Sequence, residues 1–428
     1  MTDISLDSLP GPVASYEARP EEVNRVVLLY SGGLDTSVML HWIQEAYDAE
    51  VVTLTVNLGQ PGEDYDAILE KARAMGAIAT EVIDAREEFA EDFVLPAIKA
   101  NALYGGGYPL FTSLGRPLIG KLGVEIAAKY DCDTLAHGCT GKGNDQVRLE
   151  GTVATLNPDL KMIAPVRAWQ IGREEELDYC RKHGIPLKGG TSESPYSIDD
   201  NLWGRSSEGK IIEKLDTPPP DDVFQLVTRP ELAPDEPEYV TIGFESGRPV
   251  TFNGERMDLV PLLEAAADAG CRNGCGIVDH IEDRIVGLKV RDIYEIPAAA
   301  LVLTAHQDLE KVVSTIHQNN FKHTLDRHWA YMVYAGLWYE PLRHDLDAYM
   351  DSANEFITGE VTLKLYKGSA TPVARKSDHA VYDENLASFG ASGGDFSQNA
   401  APGFIELFSL QSRMAHQVRN RNGKEDNQ

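Results

Sequence analysis

Two short stretches of the chain hold the side chains best suited to handling phosphates and charged amino groups. The first, residues 31–37 (SGGLDTS), sets two adjacent glycines among three hydroxyls, Ser31, Thr36 and Ser37, with one carboxylate, Asp35. Gly32 and Gly33 reach backbone angles closed to other residues and carry no Cβ, so an anion can come close to the amides of the turn. A helix starting there adds its partially positive N-terminus. Asp35 would repel a phosphate unless a divalent cation stood between them, so the pattern predicts a nucleotide bound as its magnesium complex. It is not a Walker loop, because no GxxxxGK followed by Ser or Thr occurs in the chain.

The second stretch, residues 137–150 (HGCTGKGNDQVRLE), has glycines at Gly138, Gly141 and Gly143, a backbone able to fold tightly around a ligand. Thr140, Lys142, Asn144, Asp145 and Arg148 crowd neutral and charged hydrogen-bonding groups into nine residues. Asn144 and Arg148 are four apart and share a face once a helix begins. A ligand loop is predicted here.

Strands and helices must carry these stretches. Residues 26–30 (VVLLY) form a short apolar run of the kind found in a fully buried parallel strand, and Val38, Leu40, Trp42 and Ile43 repeat at helical spacing just after the first loop. Further strands are predicted at 50–57, 78–83 and 134–136, with helices at 64–75, 87–100 and 117–129 between them. Such alternation predicts an α/β domain, a doubly wound parallel sheet with ligands at the carboxyl ends of its strands. Residues 104–116 (YGGGYPLFTSLGR) read as a loop, rich in Gly and Pro, that carries Tyr108, Thr112 and Ser113.

Beyond a helix at 173–183, stopped by Gly184 and Pro186, the pattern changes. Residues 191–207 read as polar and irregular. Residues 217–220 and 229–237 hold six of the 23 prolines and read as a connecting arm. A hairpin at 239–252, a helix at 259–269 and two short strands within 276–288, bearing Glu282, follow. Residues 297–349 are mostly helical, with Trp329, Tyr331, Tyr334, Leu337 and Trp338 as a core stripe. After a strand at 360–367, a glycine-rich linker at 390–394 leads to a terminal helix at 404–419. Phe404, Ile405, Leu407, Phe408, Leu410 and Met414 give that helix an apolar load with little core of its own to bury it, which predicts docking on another subunit.

At 428 residues and 43% hydrophobic content the chain is long enough for two or three domains. A formal net charge of −28 argues against a general nucleic-acid binder. Cys132, Cys139, Cys180, Cys271 and Cys275 are an odd number, suited to reduced thiols in the cytoplasm, and Cys271 and Cys275 lack partners at zinc-site spacing. No apolar run approaches the ~20 residues of a membrane span, and the N-terminus has no export signal. Residues 1–24 read as a solvated extension without chemistry.

With both loops in view, the chain resembles the argininosuccinate synthases of the N-type ATP pyrophosphatase group. Their pyrophosphate loop reads SGGxDS, and here Thr36 is inserted before Ser37. The strings that carry the resemblance run from about residue 26 to residue 419: YSGGLDTSV, ALYGGGYPLFTSLGRP, HGCTGKGNDQVR, KHGIP, SPYSIDDNLWGRS and EDRIVGLKVRDIYEIPA. The resemblance implies an extension at 1–24, an ATP-binding domain at 25–190, an α+β synthetase and multimerisation domain at 191–385, and a linker with an oligomerisation helix at 386–428. It implies a cytoplasmic homotetramer that joins citrulline to aspartate with ATP and Mg2+, and no covalent catalytic nucleophile.

Carried over by position, Leu29, Tyr30, Ser31, Gly32, Gly33, Leu34, Asp35, Thr36, Ser37, Val56 and Gly138 would hold ATP, with Asp35 meeting the metal indirectly. Thr140, Asn144 and Asp145 would bind aspartate. Tyr108, Ser113, Asn144, Arg148, Ser197, Ser206, Glu282 and Tyr294 would surround citrulline. The family commonly reads ENR where this chain has Glu282-Asp283-Arg284, a change at the middle position only. A thiolating or amidating relative would want paired reactive cysteines or a glutaminase domain, and a silent nucleotide binder would lack Asp35 or the TGKGND string.

Overall fold

The computed structural model describes residues 11–169, 173–186, 196–387 and 397–425. Residues 1–10, the first part of the stretch expected to be irregular (191–195) and the linker expected at 390–394 lie outside these.

Four strands of the first sheet stand where the apolar runs predict, and a fifth, β5, was not expected. Strands β1 (Arg25–Leu29), β2 (Glu50–Asn57), β3 (Ala79–Asp84), β4 (Thr134–Ala136) and β5 (Lys161–Ile163) are all parallel, in the order β3-β2-β1-β4-β5. Successive residues of β1 point to opposite faces and both faces are covered. Val27 joins one apolar cluster, while Val26 and Leu28 join the other, which contains Val38, Met39, Leu40 and Ile43 of helix α1 (Leu34–Tyr47). Helix α2 (Tyr65–Ala74) connects β2 to β3.

Between β3 and β4 run α3 (Arg86–Glu88), a wide turn at Phe89–Val94, α4 (Leu95–Lys99) and α5 (Phe111–Lys129). The helix expected at 87–100 is thus interrupted by a π-type turn. Helix α5 corrects the expectation of a loop through residue 116. It starts at Phe111, after Leu110 takes the left-handed conformation (φ 67°), and continues through Pro117. Phe111, Leu114 and Leu118 are fully buried, so packing sustains a helix that Pro117 argued against locally. The order continues with α6 (Asp145–Leu156), α7 (Pro165–Trp169) and α8 (Arg173–His183).

Residues 14–23, expected to be solvated, are instead pinned to the far edge of this sheet. Glu17 makes a parallel bridge with Met162, and Ala18 and Val23 are buried.

The polar stretch expected to be irregular contains a hairpin, β6 (Ser197–Asn201) and β7 (Gly204–Glu208). Its strands were missed because their polar side chains face a cavity rather than an apolar core. Strands β8 (Glu238–Glu245), β9 (Arg248–Phe252) and β10 (Glu255–Arg256) follow, then α9 (Leu259–Arg272), β11 (Ile277–Asp283) and β12 (Lys289–Glu295). The second strand expected before residue 288 therefore begins at Lys289. Helices α10 (Pro297–Val313), α11 (Ile316–Tyr334) and α12 (Pro341–Asn354) precede β13 (Gly359–Tyr366) and β14 (Ser369–Lys376). An antiparallel sheet of order β10-β9-β8-β13-β14 packs against α10, and a smaller one of order β11-β12-β7-β6 supplies one side of the cavity.

One apolar cluster runs without a break from Val27 and Leu135 through Phe93 and Phe111 to Val240, Leu263, Leu301 and Leu363. The boundary expected near residue 190 separates sheets but not cores. Of the expected aromatic stripe, Trp329, Tyr334 and Trp338 are buried, whereas Tyr331 and Leu337 are exposed.

Residues 380–428 form a second compact unit. It contains α13 (Glu384–Ala387), α14 (Ala401–Phe408) and α15 (Leu410–Glu425), so the expected single terminal helix is two, divided at Ser409. Phe404 stacks on Phe408 within α14, at 5.1 Å between ring centroids.

Candidate active site

Strands β1 and β4 are neighbours at the centre of the parallel sheet, and the chain winds away from them in opposite directions. Such a switch point leaves a crevice at the carboxyl ends of the two strands. The loop after β1 is the SGGLDTS turn and the loop after β4 is the HGCTGKGND stretch. Both open into one cavity of about 500 Å3, closed on the far side by β6, β7, β11 and β12.

The first turn is shaped for an anion. Gly32 has φ 75°, and a Cβ there would lie 2.9 Å from Ile68 Cγ1 of α2. Gly33 caps α1 without a side-chain bond, which leaves the helix's first amides available. Gly33 N donates to Ser31 Oγ at 3.3 Å, and the Ser31 and Thr36 hydroxyls are 3.2 Å apart. Ser37 Oγ donates to Gly33 O at 2.6 Å, so this hydroxyl shapes the turn instead of presenting a donor outward. Lys71 Nζ donates to Gly32 O at 2.9 Å and brings a cation behind the loop. Asp35 is exposed at the start of α1.

The second loop delivers a charged array. Asp145 Oδ2 accepts from Arg116 at 2.8 Å and Oδ1 from Arg148 Nη1 at 2.9 Å. Burial alone would raise the Asp145 pKa, but the two guanidinium groups hold it below the ordinary carboxylate range. Arg116 also bonds to Asp199, whose pKa burial pushes up to about 6. Arg148 donates through Nε to Tyr334 O at 3.1 Å and lies over the Tyr334 ring, while its buried Nη2 has no hydrogen-bond partner among the described residues. Asn144 Nδ2 donates to Tyr334 OH at 2.8 Å, and its Oδ1 accepts from Ile285 N at 2.9 Å.

His137 at the root of this loop is drawn towards its protonated form, up to about 9, as Cys139 and Glu150 overcome the burial that opposes charge. The Cys139 amide, 3.2 Å from Nδ1, instead favours a lone pair on that nitrogen and the proton on Nε2, 3.0 Å from Glu150 Oε1. The backbone donor is fixed in place, so we assign the Nε2–H tautomer.

Opposite stand carboxylates and phenols. Alternation along the β11–β12 pair puts His280, Glu282, Asp292 and Tyr294 on one face. Glu282 accepts from Tyr334 OH at 2.6 Å and from Tyr294 OH. The Tyr294 phenol is raised by burial and by the neighbouring Glu282 and Asp292 charges. Asp292 is pushed up to about 8 by burial, then by Glu208 and Glu282, and its Oδ1 has no hydrogen-bond partner among the described residues. Tyr108, raised to about 12 by burial, sits 3.3 Å from Ser113 Oγ. The glycines at 105 and 107 have a physical cause here: a Cβ on either would lie about 3 Å from the His280 ring.

Of the residues singled out in the sequence, Leu29, Tyr30, Ser31, Thr36, Val56, Tyr108, Gly138, Asn144, Asp145, Arg148, Ser197, Ser206, Glu282 and Tyr294 line the cavity. Gly32, Gly33, Leu34, Asp35 and Ser37 belong to the turn without forming its wall, Ser113 is fully buried behind Tyr108, and Thr140 is exposed on its loop. Sequence reasoning missed Arg116, Asp199, Arg284, Asp292 and Tyr334. Arg116 and Asp199 lay in stretches read as irregular, and Tyr334 lay in a stripe read as core.

Comparison with known proteins agrees with this architecture. Residues 25–186 match the family model described as arginosuccinate synthase N-terminal HUP domain, and residues 196–415 match the arginosuccinate synthase C-terminal domain. An argininosuccinate synthase from Pyrococcus furiosus is 50% identical over 394 residues, covering 92% of this chain and 95% of that protein. One from Symbiobacterium thermophilum is 49% identical, covering 91% and 97%. One from Rubrobacter xylanophilus is 50% identical, covering 91% and 94%.

Proposed function

The chain belongs to the argininosuccinate synthase family, and on that premise we propose that it joins citrulline to aspartate at the expense of ATP, releasing AMP and pyrophosphate. The observation that carries the reading is the single cavity onto which both glycine loops open, with an anion-ready turn at one end and paired Arg and carboxylate groups at the other.

The reaction needs two displacements. The ureido oxygen of citrulline attacks the α-phosphate, pyrophosphate leaves, and a citrullyl adenylate forms. The aspartate amine then attacks the ureido carbon, loses a proton, and AMP departs with the oxygen. Neither step calls for an enzyme nucleophile. Holding the reactants in line can itself account for about 7 to 11 kcal/mol of the barrier.

Residues 29–37, with Val56 and Gly138, cradle the nucleotide. Thr140, Asn144 and Asp145 take aspartate. Tyr108, Ser113, Asn144, Arg148, Ser197, Ser206, Glu282 and Tyr294 surround citrulline, and Ser113 acts by orienting the Tyr108 hydroxyl. The unpartnered Arg148 Nη2 supports a carboxylate ligand beside it. Mg2+ would be held chiefly by the phosphate oxygens of the nucleotide, with Asp35 nearby. Bound there, such an ion would supply positive charge against the pyrophosphate oxygens.

The working form is a homotetramer in the cytoplasm, with residues 25–190 serving ATP, 191–385 serving the amino acids, and the C-terminal helices tying subunits together. No helix among the described residues is long and apolar enough to cross a membrane, and all five cysteines are free. The test is pyrophosphate release from ATP with citrulline alone and with citrulline plus aspartate. Sustained release only with both amino acids is expected, and release indifferent to either would overturn the reading.

A further inference from the structure

We propose that Tyr16 and Glu17, in the arm ahead of the first strand, are positioning residues that hold the 138–144 loop in its ligand-binding form. This rests on the functional reading above, which assigns Thr140 and Asn144 of that loop to aspartate. The arm lies outside the matched family region, which begins at residue 25.

The arm is tied to the open edge of the parallel sheet. Met162 N donates to Tyr16 O at 2.9 Å, and Ala18 N donates to Met162 O at 3.0 Å. Lys161 Nζ donates to Ser15 O at 2.9 Å. Two side chains then reach from this edge towards the loop. Tyr16 OH donates to Glu150 Oε2 at 2.6 Å, and Glu17 Oε1 accepts from Arg167 Nη2 at 3.0 Å. Arg167 Nη1 in turn donates to Glu150 Oε1 at 2.6 Å and to Gln146 Oε1 at 2.9 Å.

From these groups the loop backbone is held at two points. His137 carries Glu150 to the Cys139 amide, and Gln146 Nε2 donates to Gly143 O at 3.2 Å. Arg167 also lies along Gly141, where a Cβ would meet its aliphatic carbons at 3.7 Å. The loop has three glycines within six residues, and Gly143 N to Thr140 O, at 3.4 Å, is its own backbone bond. Glycine backbone loses the most freedom on ordering, so a loop of this composition depends on outside anchors to stay in one shape. Glu150 is the junction: it is buried, it receives Tyr16, His137 and Arg167, and those donors keep its pKa below the ordinary range against the burial that would raise it. Removing the arm's two contacts strips Tyr16 from Glu150 Oε2 and Glu17 from Arg167 Nη2, and loosens both loop anchors together.

The test compares wild type, Tyr16→Phe and the double variant Tyr16→Phe/Glu17→Gln. Backbone amide exchange at residues 138–143 is measured without substrates, alongside separate KM values for aspartate, citrulline and ATP. The loop amides should exchange faster, and the aspartate KM should rise about two- to ten-fold, the span expected of one net hydrogen bond and more than the ATP or citrulline KM, with kcat and the melting temperature nearly unchanged. Unchanged loop exchange, or faster exchange with an unchanged aspartate KM, overturns the proposal. A fall in melting temperature with every KM shifted alike also overturns it, because the arm would then be a general brace. Should wild type release no pyrophosphate with citrulline and aspartate, the functional reading fails while the exchange measurement still decides whether the arm orders the loop.

Discussion

At Asp145 one carboxylate faces two guanidinium groups, Arg116 on one oxygen and Arg148 on the other. An aspartate ligand offers the same pairing in reverse: its ammonium wants a carboxylate, and its own carboxylates want the arginines. Asp145→Asn keeps the size of the side chain but removes the charge that would meet the ammonium. It also leaves the Arg116 and Arg148 charges less balanced. The aspartate KM should rise by the worth of a charge-assisted hydrogen bond, about 1.5 to 3 kcal/mol or roughly 10- to 150-fold, and the citrulline KM much less. Steady-state kinetics with each amino acid varied in turn checks this, and equal losses for both would remove Asp145 from the aspartate site.

Between elements, one close approach that shapes the cavity is that of the turn after α11 to helix α6. Gly336 has φ 80°, and a Cβ on it would lie 3.0 Å from Arg148 Cα and 3.3 Å from Arg148 Cγ. Any other residue would be strained in that left-handed conformation and would press on α6 where it carries Arg148. Tyr334, two residues earlier, is the hydroxyl to which Asn144 and Glu282 both bond. Gly336→Ala is therefore expected to cost about 1 to 3 kcal/mol of stability from backbone strain and to raise the citrulline KM as well. Denaturant unfolding together with citrulline titration measures both. A variant matching wild type in each would show that this contact does not register the two elements.

For the whole molecule, the C-terminal unit poses a burial problem. Phe404, Ile405, Leu407 and Phe408 are each at least 60% exposed, and burying each such side chain is worth ~1.5 to 3 kcal/mol. A symmetric assembly would cover them by presenting the same patch to a copy of itself. Deleting residues from Gly403 onward should lower the subunit number in light scattering while the melting curve stays cooperative. A folded truncation that keeps the full-length subunit number would show that these helices are not the tether.

The amino-acid sequence by itself determined four of the five strands of the parallel sheet and both loops. Val26, Val27 and Leu28 are apolar without interruption because both faces of β1 are buried, and Gly32 is glycine because α2 crowds it; these are local constraints that residue types record directly. The tertiary structure decided what depends on distant partners. Helix α5 persists through Pro117 because its buried face outweighs a local preference to stop. Strands β6 and β7 are polar because they face the cavity. Arg116, Asp199 and Tyr334 reach the site through contacts across 29 to 190 positions of chain, distances over which spacing carries no signal. Residues 14–23 looked solvated because their partners, Met162, Glu150 and Arg167, are brought to them only when β5 forms the edge of the sheet.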